Sequence, residues 1–112
     1  MDLNLKLKHV GINSNPAEAD ALIGAFCHFL GIPAHGPEKI AGGMVEVMKN
    51  PKRGKIGHIA FSTPSIENAL TVFKERGYTL DETSVSKNDK GQITVAYFNE
   101  NLAGFALHLV KE

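Results

Sequence analysis

Three imidazoles and one carboxylate carry the chemistry that this chain could perform. His9, His58 and His108 each stand in an alternating apolar segment, and Glu46 stands in a fourth, Met44-Val45-Glu46-Val47-Met48-Lys49. Alternation sends successive side chains to opposite faces of a strand. In Lys8-His9-Val10-Gly11-Ile12-Asn13-Ser14, Val10 and Ile12 take one face, and His9, Gly11 and Asn13 take the other. In Gly57-His58-Ile59-Ala60-Phe61-Ser62-Thr63 the division is Ile59 and Phe61 against His58, Ala60 and Ser62. The same division sets Val45 and Val47 against Met44, Glu46 and Met48, and Phe105, Leu107 and Leu109 against Ala106, His108 and Val110. On four strands, then, one face carries a single ionisable group amid small or flexible neighbours, which describes a hollow and not a core. Brought together, three imidazoles and a carboxylate suit a divalent transition metal such as Zn, Ni, Mn, Fe or Co.

The gaps of 37 positions from His9 to Glu46 and 50 from His58 to His108 are too long for a local ligand motif. Convergence needs an architecture that superposes distant strands. A single strand histidine is more often a hydrogen-bonded core residue, and a lone glutamate on an edge strand can point to solvent. Matched positions in both halves of the chain weigh against that reading for the four together. His28 on the first helical segment and His35 in a loop read as surface residues.

An internal repeat supplies the architecture. Each half reads strand, polar cap, proline, helix, glycine stop: residues 8–14, Asn15-Pro16 and a helix to Leu30 and Gly31, then 57–63, Pro64 and a helix to Arg76 and Gly77. Asn15 and Thr63 are the expected caps, with Pro16 and Pro64 at the first helical positions and Gly31 and Gly77 as left-handed stops. Helical spacing puts Ala21, Leu22, Ala25, Phe26 and Phe29 on one stripe, and Ile66, Ala69, Leu70 and Phe73 on another. After the second helix come a strand over 78–85, a turn at Asn88-Asp89-Lys90-Gly91, and strands over 92–98 and 104–110. After the first, residues 33–49 leave room for two or three short strands.

The expected fold class is α+β: two βαβββ modules, residues 6–49 (shortened) and 55–112, joined by a polar linker at 50–54. They form a curved mixed-sheet cup with helices on the outside. The four ionisable residues occupy the first and last strand of each half, so a pseudo-twofold arrangement gathers them at the bottom of the cup.

The 112 residues contain 12 Lys+Arg and 12 Asp+Glu, so no basic surplus is available for nucleic acid. Apolar stretches fall well short of the ~20 residues that span a bilayer, and the first residues lack a signal peptide's apolar centre, which predicts a cytoplasmic protein. Cys27 is the single cysteine and sits in an apolar helical pattern, as buried filler. No glycine-rich phosphate loop names an organic cofactor, and Gly42-Gly43 reads as a turn.

With His9 opening the first strand, Gly57-His58-Ile59-Ala60-Phe61 opening the second half, and Gly104-Phe105-Ala106-Leu107-His108-Leu109 closing it, the whole chain resembles the vicinal oxygen chelate superfamily, the glyoxalase, bleomycin-resistance and dioxygenase fold. The resemblance implies that His9, Glu46, His58 and His108 are metal ligands, and that the metal chelates two adjacent oxygens of a small 2-oxo acid, hydroxy acid or carbonyl substrate. The glyoxalase pattern has Glu at the last place, where a carboxylate can double as catalytic base; here it is His108, which leaves Glu46 as the catalytic carboxylate or fourth ligand. The chemistry so implied is glyoxalase-type proton transfer, a lyase or isomerase reaction. A similarity to a glyoxalase-like segment of some bacterial keto-sugar-acid aldolases points to a 2-keto acid or sugar-acid ligand. The resemblance also implies a homodimer. Two other readings are a metal-free small-molecule-sequestering protein of the bleomycin-resistance type, and a ferredoxin-like regulatory domain, which would have fewer strands after its second helix.

Overall fold

The computed structural model describes residues 2–33, 40–41, 43–51 and 53–112; His35 and Gly42 lie outside these. Seven strands and two helices follow one another as β1 (Lys6–Asn13), α1 (Ala19–Leu30), β2 (Ile40–Ala41), β3 (Val45–Met48), β4 (Gly57–Thr63), α2 (Ile66–Glu75), β5 (Leu80–Lys87), β6 (Ile93–Leu102) and β7 (Phe105–Lys111). The strands form one sheet in the order β2-β3-β1-β4-β7-β6-β5. In each half the opening strand pairs in parallel with the closing one, β1 with β3 and β4 with β7, while β1 and β4 meet antiparallel at the centre. This is the α+β architecture of the repeat, with one strand fewer described after α1 than after α2.

The helix ends follow local chemistry, with a departure at each N-terminus: α1 begins only at Ala19, with Glu18 in the N-cap place and no side-chain cap, so Asn15 and Pro16 lie in the turn before it. Gly31 ends α1 at φ 72°, a left-handed conformation that a residue with a Cβ adopts at a cost. Asn15 caps the turn that leads into α1, its Oδ1 accepting from the Glu18 amide at 3.0 Å. Thr63, however, does not cap α2. Its hydroxyl donates to the Leu3 carbonyl at 2.7 Å, and Ser65 takes the capping place by accepting from the Asn68 amide. Pro64 therefore precedes the cap instead of following it.

The buried face of α1 also differs from expectation. Ala19, Ile23 and Cys27 are buried, with Leu22 and Phe26 beside them against Val45 and Val47, whereas Ala21 and Ala25 are exposed and Phe29 is 83% exposed. The helix is apolar on almost every side, so spacing alone admits two neighbouring stripes, and contact with β3 selects the one containing Cys27. The α2 stripe holds: Ile66 and Ala69 pack with Ala96, Phe98 and Leu109, and Leu70 and Phe73 complete the cluster.

These two clusters fix the helices over the two flanks of the sheet and leave the middle of the helix side less covered. There an apolar cleft of about 610 Å³ runs between Leu5, Ile59, Phe61, Phe73, Phe105 and Leu107. Among the described residues, no helix is long and apolar enough to cross a membrane.

Candidate metal centre

Sheet register gathers the four ionisable residues onto neighbouring strands. Along one row, His9 lies opposite Ala60, Ala60 opposite His108, and His108 opposite Tyr97. Along the next row, Glu46 lies opposite Gly11, Gly11 opposite His58, and His58 opposite Ala106. Each imidazole thus faces a residue with little or no side chain across at least one strand boundary, and the rings lean into the space left. Gly11 is the strictest case. A Cβ there would collide with three atoms of the His58 ring, so glycine is what lets that ring lie across β1.

The side chains converge. His9, His58 and His108 offer ring nitrogens that all lie within 4.8 Å of one another. His9 Nε2 and His58 Nε2 are 3.2 Å apart. Two ligands of a tetrahedral metal, each about 2.05 Å from it, stand about 3.3 Å apart; the same separation closes an N–H···N hydrogen bond when no metal is bound. Glu46 spans the pair, with Oε2 at 3.9 Å from His9 Nε2 and Oε1 at 3.6 Å from His58 Nε2.

Electrostatics keep the rings neutral. Burial lowers the pKa of His9 and His58 more strongly than the Glu46 carboxylate raises them. Burial, reinforced by the neighbouring His58, His9 and Arg53, lowers that of His108 to about 3. Neutral imidazole is the form that ligates a metal. Both ring nitrogens of His108 are buried without a hydrogen-bond partner. Leaving such groups unpaired costs about 1–3 kcal/mol each, and a metal ion among the three rings would relieve one of them. The donor set and the orphaned nitrogens fit a divalent metal: the structure holds a histidine triad able to chelate one.

Two more residues belong to this place and stand outside the four-strand face assignment. Tyr97 on β6 stacks on His108, with ring centres 4.2 Å apart and planes 13° from parallel, and the Arg53 guanidinium lies over the Tyr97 ring at 4.4 Å. Burial raises the Tyr97 pKa, so its phenol stays protonated. Alternation in β6, with Ala96 and Phe98 buried on the helix side, is the signal that would have placed Tyr97 in the cup. Arg53 lies in a polar linker and gives no periodic signal. His28 is exposed on α1, as expected.

The fold matches solved structures along almost its whole length. The chain is similar to methylmalonyl-CoA epimerase of Streptomyces coelicolor in complex with 2-nitronate-propionyl-CoA, at a TM-score of 0.60 and 15% identity over 96% of each chain. It is similar to methylmalonyl-CoA epimerase from Mycobacterium tuberculosis, at 0.55 and 15% over 94% of this chain and 86% of that one. A hypothetical protein from Bacillus halodurans C-125 matches at 0.60 and 20% over 97% and 95%. No protein-family model matches the chain, and no curated protein matches its sequence. Methylmalonyl-CoA epimerase is a member of the vicinal oxygen chelate superfamily, and the fold described here is the vicinal oxygen chelate fold.

Proposed function

We propose that the protein is a divalent-metal enzyme of isomerase type, moving a proton next to a carbonyl of a small 2-oxo or hydroxy acid. The observation that carries this is the convergence of three neutral imidazoles, two of them buried and His9 half-buried, and one carboxylate at the bottom of the cup. His9, His58 and His108 would hold the metal, with zinc, nickel, manganese, iron or cobalt as candidates. A metal bound there supplies Lewis acidity toward two adjacent substrate oxygens. Glu46 is the carboxylate placed to take and return the proton, or to serve as fourth ligand, its two oxygens facing His9 and His58. Tyr97 covers one face of His108 and keeps water from it. Epimerases of the same fold favour an isomerase over a glyoxalase-type lyase, because epimerisation also removes and returns one proton.

The test is metal content together with proton exchange. Chelator-treated protein should rise in melting temperature on addition of at least one of the five metals, and His58→Ala should abolish that rise. In D2O the loaded protein should exchange the proton beside the carbonyl of an accepted 2-oxo acid, and Glu46→Gln should not. A protein that binds none of these metals overturns the proposal and leaves the metal-free sequestering reading.

The same reading extends to a cytoplasmic homodimer. Leu7, 63% exposed beside Phe61 on the helix side, and Leu5 at the apolar cleft would be covered by a second copy. Light scattering should give twice the chain mass, and Leu7→Asp should halve it.

A further inference from the structure

A second, smaller cavity of about 280 Å³ opens beside the histidine cluster and shares His58 with it; Asn13, Met48, Asn50, Arg53 and Tyr97 also line it. Arg53 is the one arginine, and there is no lysine, aspartate or glutamate, among its described lining residues. The guanidinium is held on two sides. Its Nη1 donates to Asp81 Oδ2 at 2.8 Å, and its plane lies over Tyr97. Asp81 is itself fixed, since its Oδ1 accepts from the Thr83 hydroxyl at 2.6 Å and the Thr83 amide at 3.1 Å. The linker carrying Arg53 is tied to the cup by Asn13 Nδ2, which donates to the Gly54 carbonyl at 3.1 Å.

An arginine side chain has five donors in a rigid fork, and Asp81 takes one of them. The others make no hydrogen bond among the described residues and can meet a ligand in a cavity that also touches His58. A guanidinium already ordered by a carboxylate and an aromatic face loses little freedom on binding, and its fork matches a carboxylate with two parallel hydrogen bonds. Cavities for drug-sized ligands run to about 300–1,000 Å³, so the part of a ligand that enters this one is the size of a small metabolite.

We propose that Arg53 binds a carboxylate of the substrate and thereby selects a small 2-oxo or 2-hydroxy dicarboxylic acid. Its distal carboxylate sits on Arg53 while its other end, with two adjacent oxygens, reaches His9, His58 and His108. The inference rests on the metal reading above, and the experiment separates the two.

Zinc-loaded protein is titrated by calorimetry with 2-oxoglutarate and with 2-oxovalerate, which has the same chain length and lacks the distal carboxylate. Wild type should prefer 2-oxoglutarate by about tenfold or more. Arg53→Met should bind zinc with wild-type stoichiometry and lose the preference, and Arg53→Lys, which keeps the charge without the fork, should retain part of it. If zinc does not bind, the titration is run with nickel, manganese, iron or cobalt, and failure of the wild type to bind any of the five overturns the metal reading. Normal zinc binding with equal affinity for the two acids, or a preference that survives in Arg53→Met, overturns the role of Arg53 alone. Inorganic phosphate displacing 2-oxoglutarate from wild type at equal concentration would overturn the assignment to a carboxylate. If Arg53→Met melts too low to titrate, the Arg53→Lys arm decides: undiminished preference there means the fork is not used.

Discussion

Gly11→Ala isolates the geometry on which the proposed metal centre depends. Replacing a strand glycine by alanine ordinarily stabilises a protein by about 0.5–1 kcal/mol, because the unfolded chain loses freedom. Here the new methyl would occupy the space of three His58 ring atoms, and it faces a ring that is 4% exposed and hemmed in by His9 and His108. The backbone pairing of β1 with β4 need not break, because the colliding atoms belong to the far end of a side chain. The ring must rotate away, which costs about 1–3 kcal/mol of overpacking and removes one of the three proposed imidazole ligands. Losing an outer partner of a metal ligand already costs 10–100-fold in affinity, so displacing the ligand itself should cost at least about 100-fold. Zinc affinity is measured by competition with a chromophoric chelator, and stability by urea unfolding of the metal-free protein. The double variant Gly11→Ala/His58→Ala should recover the lost metal-free stability, since no ring remains to collide; the two changes should be non-additive by about the overpacking cost. Wild-type zinc affinity in Gly11→Ala, or additive effects in the double variant, would refute the claim that Gly11 makes room for His58.

The other predictions concern protonation and the helices. The folded protein holds His9, His58 and His108 below the ordinary 6.5, His108 at about 3, so the unfolded chain binds more protons as pH falls. Metal-free stability should be complete above about pH 6.5 and decline by a few kcal/mol toward pH 3; melts of chelator-treated protein between pH 7.5 and 4 should show the decline, and His108→Phe, which keeps an aromatic ring on Tyr97, should flatten it. Ser65→Ala removes the α2 cap and should cost about 0.5–1 kcal/mol, while Thr63→Ser, which retains the hydroxyl that bonds Leu3, should cost less than Thr63→Ala in the same urea melts. On α1, Phe29→Ser should change stability by no more than about 0.5 kcal/mol, against about 2–5 kcal/mol for Ile23→Ala; a large loss in Phe29→Ser would mean that the exposed flank of α1 is covered by a partner.

Most of the cup was legible in the sequence because two periodicities agree there. Alternation assigns His9, Glu46, His58 and His108 to one face of their strands, and the repeat says that their strands occupy equivalent places. The second fact turns separations of 37 and 50 positions into neighbouring rows of one sheet. The small residues opposite the rings, Gly11, Ala60 and Ala106, were part of the same signal, since a face that alternates ionisable with tiny residues leaves room that only a ring or a ligand can fill. Where the periodicities were silent, the reading failed for physical reasons. Helix α1 is apolar on two adjoining stripes, so nothing in its own spacing distinguishes Cys27 from Phe29 as the buried residue. Ser65 and Thr63 are both competent caps, and the choice was made by the Leu3 carbonyl, which lies 60 positions from Thr63 in the chain and claims its hydroxyl.

Arg53 marks the limit most clearly. Its place over Tyr97 depends on the path of the linker, which no periodicity fixes, on Asn13 holding Gly54, and on Asp81 arriving from β5 at the far edge of the sheet. Yet the ligands and the arginine are linked by sheet order. Tyr97 is in register with His108, so the aromatic face that orders Arg53 also walls the histidine cluster. A change at Tyr97 should therefore act on both functions at once. Tyr97→Ala should weaken the preference for a distal carboxylate, by freeing the guanidinium, and should weaken zinc binding, by letting the His108 ring turn. Tyr97→Phe keeps the ring and should preserve both. If Tyr97→Ala altered carboxylate preference and left zinc affinity untouched, the stack would orient Arg53 alone, and His108 would be held in place by the sheet.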